Sequence, residues 1–66
     1  MAAEDIAKML RDRLEDLGWS DIYAARQAGV MASVLRRAVT TGRVRVESMV
    51  RIAQALGLEV KMEVKR

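Results

Sequence analysis

The stretch SDIYAARQAGVMASVLRRAVT, residues 20–40, decides the fold. It reads as two short helices meeting at Gly29. Ser20 or Asp21 is suited to cap the first, because a short side-chain oxygen accepts from the free N–H groups of an opening turn. That helix runs through Ile22, Ala25 and Ala28, small enough on one side to pack closely against a neighbour. The second starts near Ala32 and fades near Thr40. At about 100° per residue, Ser33, Arg36, Arg37 and Thr40 fall within an arc of about 100°. Met31, Ala32, Val34, Leu35, Ala38 and Val39 fill the other side. The spacing therefore predicts a wide buried face and a narrow polar one holding two arginines, two hydroxyls and no acid.

On the N-terminal side, Ile6, Leu10, Leu14 and Leu17 recur at helical spacing, with Glu4 and Asp5 suited to a first turn. Gly18 closes that helix in the position of a left-handed cap, and Trp19 is expected to fold back onto it. On the C-terminal side, Thr41-Gly42-Arg43-Val44 reads as a loop. A fourth helix runs from about Val46 to Leu56, burying Met49, Ile52, Ala53 and Leu56, and stops at Gly57.

The last residues change period. Leu58, Val60, Met62 and Val64 alternate with Glu59, Lys61, Glu63 and Lys65, which marks a strand with one apolar face. A lone strand leaves its backbone groups unpaired. Pairing with the same strand of a second copy is the simplest remedy, so Leu58, Val60, Met62 and Val64 are the expected dimerisation residues. Residues 1–57 then form an all-α body, and residues 58–66 a strand of the same domain. A frayed tail is the competing reading of these residues.

Size and composition narrow the function. A domain of 66 residues buries only about 60% of its unfolded surface. There is no cysteine for a disulfide and no histidine, so a zinc site is not expected, and neither is a cofactor. Dimerisation is the remaining common support for so small a core. The usual general base, metal ligands and thiol nucleophile are all missing, which argues against an enzyme. Residues 1–5 hold acids and no basic leader, and no apolar run approaches the roughly 20 residues of a membrane span. The expected compartment is the cytoplasm, with no membrane partner.

The net charge of +3 is unevenly placed. Residues 1–21 carry Lys8, Arg11 and Arg13 against six acids. Residues 22–51 carry Arg26, Arg36, Arg37, Arg43, Arg45 and Arg51 against Glu47 alone. A basic middle suits a polyanion, most often nucleic acid; a solvated arginine surface is the plainer reading. Solvated helix faces usually mix Lys and Glu for i,i+4 pairing, and the third helix does not. Its arginines suit guanine O6 and N7, its hydroxyls suit bases or phosphates, and Ala32 is small enough to approach a thymine methyl group. Arg45 stands where a fourth helix begins, an unfavourable place for a cation unless an anion such as a phosphate is present. Arg26 is a weaker phosphate candidate.

The order Trp19-Ser20 through Gly29-Val30, then Val34-Leu35-Arg36-Arg37, Gly42, and Met49-Val50-Arg51-Ile52-Ala53-Gln54-Ala55-Leu56-Gly57-Leu58 resembles the lambda-repressor-like, XRE/Cro-type helix-turn-helix family. The resemblance covers about residues 6–58, and the tail is most similar to the small antitoxin branch. It implies a bundle of four to five short helices with a C-terminal β-strand that pairs across a dimer. Its third helix reads double-stranded DNA at an inverted-repeat operator. Carried over by position, base contacts fall on Ala32, Ser33, Arg36 and Arg37. Phosphate contacts fall on Thr40, Thr41, Arg43 and Arg45. Three residues depart from the family pattern: Asp21 where glutamine is common, and Met31 and Arg45 where capping residues are usual. The leading expectation is thus a homodimeric, sequence-specific transcriptional repressor. The alternatives are an antitoxin that also masks a toxin, and a protein-interaction module without DNA binding, for which the five methionines offer an adaptable surface.

Overall fold

Ile6, Leu10, Leu14 and Leu17 recur about one turn apart, and they share the inward face of α1 (Ala3–Leu17). The computed structural model describes residues 2–58, which form four helices and, among the described residues, no strand. The others are α2 (Asp21–Ala28), α3 (Ala32–Thr40) and α4 (Val46–Ala55).

Local chemistry sets most of the boundaries. Asp5 accepts from the Ala2 N–H at 3.2 Å and so ties the start of α1. At its end the Gly18 N–H donates to the Glu15 carbonyl and the Trp19 N–H to that of Leu14, satisfying carbonyls that a helix end leaves free. Trp19 then packs against the core and meets Tyr23 edge-to-face at 5.0 Å. Ser20 caps α2, its Oγ accepting from the Tyr23 N–H at 3.2 Å. Gly29 ends α2 with the same pair of bonds, and only three residues separate it from α3.

The core is built from one side of each helix. Leu10, Leu14, Leu35, Val39, Ile52 and Leu56 form a cluster with Ala24, Ala25, Ala28 and Ala38. The alanines of α2 let it lie close to both α3 and α4. α3 packs on α1 as well as α2, and touches α4 only lightly. No polar or charged residue is buried among the described residues. Every charge among them is therefore at least partly exposed, where ionised side chains avoid the cost of desolvation.

One expectation needs revision. Met31 was placed on the buried side of the third helix, yet its side chain is 72% exposed. It is the residue before the first helical turn, with extended backbone (φ −70°, ψ 148°), so the helical phase does not apply to it. Leu58 donates its N–H to the Ala53 carbonyl at 2.8 Å and packs against this chain's own core, half-buried. The strand expected to follow it, with Val60, Met62 and Val64, lies outside the described residues.

Gly42 is the turn on which the N-terminus rests. Its φ is +71°, and a Cβ there would overlap the carbonyl of Ala3. Gly29 has nearly the same φ, +70°, with nothing within 4 Å of a Cβ. The pair separates backbone strain from packing. Gly29→Ala should cost about 1–2 kcal/mol, the left-handed penalty alone. Gly42→Ala should cost more than about 3 kcal/mol, against a total stability of about 3–10 kcal/mol for a chain this long. Urea unfolding of the two variants checks this; equal costs would show that Ala3 does not press on Gly42.

Candidate nucleic-acid interface

The phase of α3 follows from what it buries. Leu35 and Ala38 are 0% exposed and Val39 is buried beside them. With those three inward, Ser33, Arg36, Arg37 and Thr40 stand outward, and all four are exposed. Ala32 is half-buried against the core, so its methyl group is only partly available to a ligand. No acid lies on this helix.

The loop after α3 extends the same surface. Thr41 Oγ1 donates to the Arg37 carbonyl at 3.0 Å and accepts from the Arg43 N–H at 3.1 Å. Thr40 Oγ1 donates to the Arg36 carbonyl. Both hydroxyl protons thus serve the end of α3, and a phosphate contact from either threonine requires its hydroxyl to turn. Arg43 and Arg45 are exposed, as is Arg26 on α2. A hollow of about 120 Å³ joins α3 to the start of α4, lined by Val34, Arg37, Val44, Arg45 and Ser48. A second, of about 320 Å³, lies between the loop and the start of α1 and brings Glu4 beside Thr40, Thr41 and Arg43. The structure therefore gathers Arg37, Arg43 and Arg45 around the loop, with one carboxylate at the margin.

The charges on this side are uncompensated. Among the described residues the ion pair found is Lys8–Asp12, at 3.0 Å on α1. Arg26, Arg36, Arg37, Arg43, Arg45 and Arg51 make neither an ion pair nor a side-chain hydrogen bond among the described residues. Arg11 and Arg13 differ. The Arg11 guanidinium donates to the Val39 carbonyl, and Arg13 Nε donates to the Leu56 carbonyl at 2.8 Å. Their partners are 28 and 43 residues away, and no local pattern reveals them.

Two helix starts on this side lack what α2 has. Met31 precedes α3 and Arg45 precedes α4, and neither supplies a side-chain cap. A cation at a helix start is also disfavoured by the aligned peptide dipoles, by a few tenths of a kcal/mol, and Glu47 in the first turn of α4 offsets part of that. Among the described residues no three of His, Cys, Asp or Glu are grouped to hold a metal ion, and no helix is long and apolar enough to cross a membrane. No known family model matches the chain, and no curated protein matches it.

The missing caps give a stability test. Met31→Ser and Arg45→Ser should each raise the free energy of unfolding by about 0.5–2 kcal/mol, the usual value of a serine cap. Chemical denaturation measures it. A loss of stability in either variant would show that the present side chain supports the fold in a way the contacts do not reveal.

Proposed function

We propose that this protein is a sequence-specific DNA-binding transcriptional regulator, a repressor that acts as a homodimer on an inverted-repeat operator. In this reading α2 and α3 form a helix-turn-helix, and α3 enters the major groove. Arg36 and Arg37 read base edges, with Ser33 and Ala32 beside them. Arg43 and Arg45 hold phosphates, with Thr40 and Thr41 next to them and Arg26 at the flank.

The observation that carries the reading is the outward face of α3. Two arginines stand there exposed, without a carboxylate partner among the described residues, on a helix that bears no acid. An unpaired guanidinium in water keeps its five donors free for a planar acceptor pair such as guanine O6 and N7. Arg45 supports it from the next element. A cation at the start of α4 is unfavourable alone and favourable once a phosphate bridges it and the free N–H groups of the first turn. In this reading α1, which carries most of the acids, supplies the body, with Glu4 at its start beside Thr40, Thr41 and Arg43.

The dimer rests on the alternating tail together with the small size of the core. Two copies of α3 would meet successive turns of the groove, with half-site centres about one helical turn apart. An antitoxin role is a second reading on the same fold. Copurification with a toxin is its test.

Duplexes selected from a random pool by the protein should contain an inverted repeat. Arg36→Ala or Arg37→Ala should weaken binding to the selected duplex by about 1–3 kcal/mol and relax the preference at one position. Arg43→Ala should weaken all duplexes alike and reduce the slope of log K against log salt by about one. Equal affinity for selected and scrambled duplexes would rule out base reading.

A further inference from the structure

We propose that Arg11 and Arg13 are positioning residues for the DNA-reading surface, each clamping to α1 the end of one of the two helices that carry it. This rests on the regulator reading above. The surface is divided between two elements: Arg36 and Arg37 ride on α3, and Arg45 stands at the start of α4. Reading a sequence requires a fixed spacing between groups that meet bases and groups that meet the backbone. Yet α3 and α4 touch each other only lightly. α3 is packed on α1 and α2, and α4 mainly on α2, so direct packing does little to hold the two against each other.

α2 packs on both helices, and α1 supplies a second link between them. Arg11 and Arg13 are two positions apart, about 200° around the helix axis, so they leave α1 on nearly opposite sides. Arg11 donates to the Val39 carbonyl in the last turn of α3, and Arg13 to the Leu56 carbonyl at the end of α4. Both acceptors lie where a helix leaves carbonyls free and its dipole is negative, so each bond joins a charge-assisted donor to a favourable field. Arg11 also forgoes an easier partner. Glu15 lies four residues on, the ordinary spacing for a surface pair, yet the only ion pair among the described residues is Lys8–Asp12. The two arginines of the acidic helix are thus engaged by backbone carbonyls, while the arginines of α3 and the loop are left without a partner among the described residues.

The test compares wild-type protein with Arg11→Gln, Arg13→Gln and Arg11→Lys on two duplexes. One is selected from a random pool by the wild type; the other is its scrambled counterpart. Binding is measured at a temperature where circular dichroism shows every variant folded. Loss of one positive charge weakens both duplexes together, so the ratio of the two affinities isolates positioning. That ratio should fall about tenfold in each glutamine variant, the change expected when one charge-assisted hydrogen bond is lost. The salt slope on the scrambled duplex should stay at the wild-type value, because no phosphate contact is removed. Arg11→Lys, which keeps a donor, should recover part of the ratio, and it carries the test if Arg11→Gln does not fold. A wild-type ratio in folded variants overturns the clamp and leaves the regulator reading standing. If the wild type itself prefers neither duplex, the regulator reading fails and the clamp with it.

Discussion

Leu35 fixes the rotation of α3. It is fully enclosed in the cluster that also takes Leu10, Leu14, Ile52 and Leu56, and a nine-residue helix anchored there has one available phase. Removing a buried leucine of this kind leaves a cavity and typically costs about 2–5 kcal/mol, a large part of what so short a chain has. Rotating α3 to bring Arg36 inward would expose Leu35 and bury an ionised group in an all-apolar core. Neither change is tolerable, so the arginines stand outward as a direct result of where the leucine goes.

Of the four helices only α2 starts with a side-chain cap; Ala2 before α1 supplies none. Ser20 caps α2 in the ordinary way, whereas Met31 and Arg45 occupy the corresponding positions of α3 and α4 and cap nothing. Sites where local preference is overridden are where function is most often found. In a DNA reader the departure at Arg45 has a use. An arginine before α4 would gain a phosphate partner.

The helices were legible because their signals are local. Apolar spacing marks α1, α3 and α4, and glycine marks the ends of α1, α2 and α4; the third helix runs over Ala32–Thr40 as its pattern predicts. The polar arc of that helix was legible for the same reason. What the pattern missed is tertiary. The reason for glycine at 42 is the Ala3 carbonyl, on the far side of the chain in sequence. The partners of Arg11 and Arg13 are backbone atoms, which carry no mark in a sequence. Met31 stands exposed because it precedes the first helical turn, where the helical phase no longer holds. Of the expected dimerisation residues, only Leu58 is described, and it packs on its own core.

Following the arginine side-chain Nε–Hε signals by NMR, as a selected duplex is added to isotope-labelled protein, tests the role of α3 most directly. If the outward face of α3 enters the groove, the signals of Arg36, Arg37, Arg43 and Arg45 shift to saturation, while those of Arg11 and Arg13 hold their free-state positions. Unmoved Arg36 and Arg37 signals at saturating duplex, or shifts gathered on α1, would contradict it.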